Sequence, residues 1–510
     1  MRFDMTTYGT YTAMTGALAL MMTTGAAMAD VTPAEVWSDW QEYMGSFGFA
    51  VTADEAQSVD GLTLTNIVLT QTLPDDAGTT TGTVPQITII DNDDGTVAIV
   101  YPSEMPITMT GTGEASFEMG MLLRTTDLKI TASGAPSQIT YAYSAAGIGM
   151  TMGKLSSDGE AIEIGSAVFD MADVQGSSVM TMDGGRTAEQ KASTGAATYE
   201  LAFTDPEDGA SSMTWAGRID GINMTGDMKL PAAADMNDMS AALDAGFAID
   251  AAYVFGAGRS VFTFTDEGAT TNGTSTSAGG KLSIKMDEGG LGYGGQSDDV
   301  RVEVTMPPLP FPLAMGMKQT SFDLAMPLTK SGAPQDFGLA LKLGGFTLSD
   351  AIWALFDPTA KLPRDPATIA LDLSGKATIL ADIMDPAAME QVEDGASAPA
   401  ELNALTLNSL LVSVAGAELT GRGAVTLDND DMTTYAGNPK PVGDVALRLT
   451  GANGLMDTLV AMGLIGQDQT MMARMGLGML AVPGEGDDVL VSDIEFTEGG
   501  GIIANGQRLK

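Results

Sequence analysis

The chain contains no cysteine and no histidine. Disulfides, thiol chemistry, thiolate or imidazole metal ligands and any Ser-His-Asp arrangement are therefore excluded. Positive charge is scarce as well: 24 Lys and Arg stand against 66 Asp and Glu, a net charge of -42. Such a polyanion is repelled by nucleic acid and by anionic membrane surfaces at short range. From Phe3 to Leu123 there is no Lys or Arg, while Asp30 to Glu118 holds fifteen acidic residues. Those carboxylates must be solvated, paired with distant strands, or neutralised by divalent cations. Gly-x-Ser-x-Gly, Ser-x-x-Lys and the phosphate-binding Gly-x-x-x-x-Gly-Lys-Ser/Thr are all missing. Gly290-Leu291-Gly292-Tyr293-Gly294-Gly295 formally matches Gly-x-Gly-x-x-Gly, but the strand-like run Val300 to Met306 follows where a helix N-terminus would be needed. It is expected to be a glycine-rich turn.

Long apolar runs are confined to the N-terminus. Arg2, an uncharged stretch from Ala13 to Met22, and Ala27-Met28-Ala29 read as an export signal over residues 1–29, with Asp30 opening the mature chain. A retained anchor is the alternative, since Tyr11 to Ala29 is uncharged, but four Thr and two Gly make it a poor spanning helix. The expectation is a periplasmic protein with no transmembrane span after cleavage.

What the chain has in abundance is glycine, 62 residues beside 22 prolines, which favours many turns. Its apolar residues recur with a period of two. Between Phe337 and Leu380, Leu339, Leu341 and Leu343 hold one parity, and Ile369, Leu371, Leu373, Gly375, Ala377 and Ile379 do so again, opposed by Asp372, Ser374, Lys376 and Thr378. Between these runs Thr347 is expected to cap a short helix burying Leu348, Ile352, Leu355 and Phe356, ended by Asp357-Pro358. Near the mature start, Thr32-Pro33-Ala34-Glu35 forms a capping box with proline at the first helical position, and Val31 and Val36 a hydrophobic staple. Val36, Trp37, Trp40, Tyr43, Met44 and Phe47 then give an aromatic helical face, read as a plug on the sheet, with a partner-docking or lipid-facing helix as the other option.

Strands are expected at Leu62, Leu64 and Val68, at Ile87 and Ile89, after the turn Asn92 to Gly95, and onward through Ile139 to Tyr143, Tyr199 to Phe203 and Met213 to Asp220. A soft boundary near Leu230-Pro231 separates a 30–235 half, with its capping helix, from a 236–510 half, and Met236 to Ala245 is expected to be helical. Asp266 to Gly280, rich in Thr, Ser and Gly, reads as a loop. Val300, Val302 and Val304 alternate cleanly before Met306-Pro307-Pro308-Leu309-Pro310-Phe311-Pro312, which must leave the ladder or lie on an edge. The chain closes with a strand, helices near Asn453 to Leu464 and Asp468 to Leu480, and two strands. Met471, Met472, Met475 and Met479 crowd the second helix and read as adaptable core, with a soft lipid-facing wall as the alternative. The fold class is mainly β, a long antiparallel meandering sheet curled into a trough or sandwich, with a few short helices including the C-terminal pair.

No catalytic, cofactor-binding or metal-binding residue is nominated. Asp91-Asn92-Asp93-Asp94-Gly95 places its glycine one position early for an EF-hand loop, and Asp428-Asn429-Asp430-Asp431 lacks it, so both read as acidic turns with calcium as a weak option. Arg364 and Asp365 in Leu362-Pro363-Arg364-Asp365-Pro366 read as a lock on a tight connection. Carboxylates are abundant, but sequence spacing selects no catalytic pair.

Several segments together carry a resemblance: 29–37 (ADVTPAEVW), 345–358 (GFTLSDAIWALFDP), 362–368 (LPRDPAT), 415–421 (AGAELTG), 453–464 (NGLMDTLVAMGL) and 495–509 (EFTEGGGIIANGQRL). They are similar to domain-of-unknown-function family 2125, exported proteins of alphaproteobacteria, a family that brings no established activity. The closing strand, helix pair and strand look more loosely like AsmA-like envelope proteins, which implies a long sheet with an apolar groove, although those proteins usually keep a membrane anchor. The leading expectation is an exported, non-enzymatic periplasmic envelope protein holding a lipid or acyl chain. A carboxylate-dependent, carbohydrate-active enzyme and a calcium-stabilised structural or adhesive protein are the alternatives.

Overall fold

A computed structural model of the chain describes residues 31–72, 78–113, 116–162, 164–205, 210–232, 234, 236, 238–309, 311–393 and 398–510. The expected export signal and Pro310 lie outside the described residues. The chain divides into two units, Met1–Thr270 and Thr271–Lys510. Both are built from antiparallel strands, so the mainly β expectation holds. No helix among the described residues is long and apolar enough to cross a membrane.

In the first unit, α1 (Pro33–Ser46) starts at the Thr32 capping box: Glu35 N donates to Thr32 Oγ1 at 3.3 Å and Thr32 N to Glu35 Oε2 at 2.8 Å. Val31 and Val36 are both buried and pack in the main core with Trp37, Leu62, Leu64, Ile67, Ile87, Ile89, Val97, Ile139 and Tyr141. The helix is thus the cover that the sheet's apolar side requires, and the aromatic face is the expected plug. Its grip is polar. Buried Asp39 accepts hydrogen bonds from Arg186 and from the Tyr141 hydroxyl, on strands Gly185–Thr204 and Gln138–Ser157. Trp37 Nε1 donates to Glu55 Oε1 at 2.8 Å, and the Arg186 guanidinium lies 5.5 Å from the centre of the Tyr43 ring. A second, one-turn helix, α2 (Met239–Asp244), is shorter than the expected span and is capped by Asp238, whose Oδ1 accepts from Ala241 N at 2.9 Å.

The long strands of this unit do not keep a single parity. Ile67, not Val68, continues the buried set after Leu62 and Leu64, because Asn66 sits in the left-handed region with φ 51° and holds Asp54 Oδ2 at 2.7 Å. The same happens further along: Asp127, Asp173 and Gly221 have φ of 52°, 51° and 71°. Flanking registers Thr126↔Gly147, Val174↔Ala145 and Thr194↔Ile222 set these residues level with one another across the strands. The inward residues accordingly change from Ile139, Tyr141, Tyr143 and Ala145 to Ile148, Met150 and Met152. Ile148 and Met171, beyond this crease, still pack against the main core, so the apolar side is the same on both flanks. Aspartate and asparagine tolerate the left-handed region through local hydrogen bonding, and irregular residues of this kind kink the strand that carries them.

In the second unit the helices are α3 (Asp350–Phe356), α4 (Pro386–Glu393), α5 (Ala452–Ala461) and α6 (Gln467–Leu480). A comparable crease runs through Asp299 (φ 48°) and Gly345 (φ 65°), on either side of Lys318, whose Nζ is 2.6 Å from Asp299 Oδ1. Two expectations fail here. Thr270 to Thr276 is not a loop but part of the strand Ala269–Ser277, where Asn272 to Thr276 pair with Arg301 to Thr305, since β-branched threonine suits a pleated surface. Gly290 to Gly295 is not a turn but the start of the strand Gly290–Thr305. Its glycines make room for rings: a Cβ on Gly295 would sit 2.5 Å from Cε1 of Phe322, directly across the ladder. Gly111 beneath Phe117, Gly176 beneath Tyr143, Gly217 beneath Tyr199 and Gly375 beneath Phe337 repeat the arrangement in cross-strand register. At these five positions glycine is a packing device within strands.

Three outcomes follow. Asp39→Ala strands a buried guanidinium and is expected to cost about 3–5 kcal/mol of stability by urea denaturation, more than the paired Asp39→Leu/Arg186→Met replacement. Gly295→Val, which must push the Phe322 ring aside, is expected to cost about 1–3 kcal/mol and to alter the near-ultraviolet circular dichroism. For pH, burial first and then the Asp39 charge raise the Tyr141 phenol well above its ordinary value, and burial pushes Tyr143 up to about 12. A raised folded-state value means the fold favours the neutral phenol. Its contribution is complete below the unfolded value near ~10 and is lost as pH rises above that value. Melting temperature is expected to fall from about pH 10 upward, less steeply in Tyr141→Phe.

Candidate functional site

The feature of the second unit that is unexplained by folding alone is an apolar sheet face with little over it. Residues directly paired across antiparallel strands point to the same side, so registers read as rows. One row runs Ile284, Tyr293, Leu324, Leu339, Leu373 and Leu407. The next is Gly295, Phe322, Leu341, Leu371 and Leu410, followed by Leu343, Ile369, Val412, Leu419 and Leu449. These rows place the alternating leucines of the sequence side by side.

They are not sealed. Leu341, Leu343 and Ile369 are 43%, 48% and 50% exposed, whereas Leu64, Ile89 and Val97 beneath α1 are fully buried. Each large apolar side chain left uncovered forgoes part of the ~1.5–3 kcal/mol that full burial contributes. The opposite side of the same strands is polar: Lys376 Nζ lies 2.7 Å from Asp336 Oδ1, Lys342 Nζ donates to Gln319 Oε1 at 2.8 Å, and Asn408 Nδ2 donates to Asp372 Oδ1 at 2.9 Å. The face is therefore amphipathic across its thickness, with a dry-chemistry side presented to solvent.

The short helix beside it departs from expectation. α3 starts at Ser349 rather than at Thr347, which stays in the strand Gln335–Leu348 and donates to the Gly316 carbonyl at 3.4 Å. Leu355 and Phe356 are 57% and 36% exposed instead of buried, and no residue of this seven-residue helix is buried. The connection after it is locked as expected, with a different carboxylate. Arg364 donates to Asp350 Oδ1 at 2.6 Å and lies over the Trp353 ring, while buried Asp357 accepts from Lys361 N at 2.9 Å and Leu362 N at 3.0 Å. Despite its burial, which alone would raise it, the Asp357 carboxyl is held below the usual range by those amide bonds and by Arg364 and Lys361.

The first unit has its own open patch on the far flank of its crease. Leu201 pairs with Trp215 and Phe203 with Met213, then Met213 with Phe264, and all five are between 38% and 48% exposed. Tyr199 meets Trp215 edge to face at 5.6 Å. The crease itself is lined by a shallow cleft of about 440 Å³ between Asp127, Lys129, Asp173 and Gln175.

The two acidic runs satisfy themselves. Asp93 N donates to Asp91 Oδ1 at 2.9 Å, and Thr96 donates from N and Oγ1 to Asp94 Oδ1 at 3.0 and 2.6 Å, holding the Asp94 carboxyl low. Asp428 and Asp431 share Lys440 at 3.0 and 3.4 Å, and Asp431, bound also by Thr433 and Thr434, is lowered far below the ordinary carboxylate range. Among the described residues no group of three Asp or Glu gathers closely enough to hold a metal ion.

Comparison with known proteins returns no match among curated proteins and none among solved structures. Residues 254–504 match the family described as "Uncharacterized protein conserved in bacteria (DUF2125)". The match takes in the segments at 345–358, 362–368, 415–421 and 453–464 that carried the resemblance, and leaves 29–37 outside it. Residues 254–504, which contain the whole leucine-lined face, are similar to this family of uncharacterised bacterial proteins.

Proposed function

We propose that the protein is an exported, non-enzymatic envelope protein that holds an acyl chain or lipid against the apolar sheet face of its second unit. The observation that carries this reading is the half exposure of Leu341, Leu343 and Ile369 within the leucine-rich cross-strand rows. An acyl chain laid across those rows recovers the burial that the fold forgoes, at ~0.8 kcal/mol per methylene. The strongly acidic remainder keeps such a face soluble and discourages its adsorption to anionic bilayers, which suits a carrier better than a resident of the membrane surface. The N-terminal Arg2 to Ala29 segment supplies the export reading.

The test is purification of the natively expressed protein followed by lipid extraction and mass spectrometry, with Leu343→Asp/Ile369→Asp alongside. Both positions are half exposed, so the variant is expected to fold. Wild type is expected to carry acyl lipid, the variant to lose most of it, and N-terminal sequencing of periplasmic material to begin at Asp30. Absence of lipid from wild type, or equal lipid in both proteins, would refute the reading.

A further inference from the structure

The methionines of α6 do not lie in a core. Met471, Met472, Met475 and Met479 are 64%, 65%, 66% and 65% exposed, correcting the expectation of an adaptable core, and Thr470 is the buried residue of the helix. Exposing four long apolar side chains in three turns has no packing rationale, since Met carries no charge to solvate and gains burial energy wherever it finds a neighbour. Their spacing, however, has a chemical one. Residues three and four apart on a helix lie with Cβ atoms ~5–6 Å from each other. Met475 therefore neighbours Met471, Met472 and Met479 at once. Long helical side chains lean back toward the N-terminus, which aims the Met475 thioether over the turn that bears Met471 and Met472. Arg474, the cation of this helix, donates to Asn453 Oδ1 at 3.1 Å and Asp457 Oδ1 at 2.7 Å, so its charge is engaged by a carboxylate.

We propose that Met471, Met472 and Met475 form a binding site for a soft monovalent d10 cation, of the Cu(I) or Ag(I) class. Soft metals of this kind select sulfur ligands, and thioether needs no deprotonation, so such a site works without a neighbouring base. With no cysteine and no histidine in the chain, the thioethers of its 35 methionines are its strongest soft donors. A net charge of -42 concentrates any cation near the surface. This inference is independent of the lipid reading, since α6 contributes none of the leucine rows.

The experiment is Ag(I) titration of the full chain, read by calorimetry and by the methyl resonances of 13C-methionine-labelled protein. Wild type is expected to bind one Ag(I) in its tightest phase, with the Met471, Met472 and Met475 methyl signals moving first. Met471→Leu/Met472→Leu/Met475→Leu keeps the apolar surface and removes the sulfur, and is expected to bind at least ~10-fold more weakly with an unchanged melting temperature, since leucine cannot ligate a soft metal. Single Met475→Leu, the least disruptive change, is expected to show a loss of the same sign. An unchanged isotherm in the triple variant, no tight phase in wild type, or first movement of methionines elsewhere would overturn the site.

Discussion

A pleated antiparallel ladder satisfies its backbone donors and acceptors within its own plane, and what it leaves over is one apolar side that water should not touch. The structure turns on how that side is covered. In the first unit the cover is α1, and the contact is fixed by a buried carboxylate rather than by apolar packing alone: Asp39 on the helix takes Arg186 and Tyr141 from the sheet beneath it. A buried charge pair is costly to create and more costly to break, so it specifies one seating for a helix whose hydrophobic face could otherwise slide. In the second unit Leu341, Leu343 and Ile369 of the leucine rows stay about half exposed, and the same kind of surface is left open.

The creases bear on this difference. Asp173 and Gly221 in one unit, and Asp299 and Gly345 in the other, switch the inward parity of long strands without ending them, and Asp127 does so between two successive strands. A strand that merely alternated would carry its apolar side to solvent wherever it kinked. Moving the switch into register on neighbouring strands lets the kink and the apolar side continue together. In the first unit this carries the apolar side from the sealed region under α1 to the exposed flank bearing Leu201, Phe203 and Trp215.

The sequence made α1 legible to the residue, because capping box, staple and aromatic period agree. It made the strands legible where alternation runs unbroken, as in Leu339 to Leu343 and Ile369 to Ile379. Misreadings cluster where local composition points away from what the ladder requires. Threonines at 270–276 resemble a loop and form a strand, and glycines at 290–295 resemble a turn and accommodate the Phe322 ring. The helix α3 was legible as a helix, but the burial of Leu355 and Phe356 was not, because periodicity shows which side is apolar and not whether anything faces it. The signal that was available and went unread is an Asn or Asp inside an apolar alternation, at 66, 127, 173 and 299, each marking a parity switch. The open face of the second unit is visible only once registers align its leucines, since no single strand reveals its neighbour.

The central claim is that this face is wet in the empty protein and covered by acyl chain in the loaded one. The chain's lack of cysteine makes a direct measurement clean: a single Leu343→Cys substitution carrying an environment-sensitive fluorophore, followed as phospholipid bearing a nitroxide in its acyl chain is added. The account predicts ready labelling, water-like emission without lipid, and a saturable blue shift with nitroxide quenching as lipid binds. Emission that is unchanged and unquenched across the titration would contradict it.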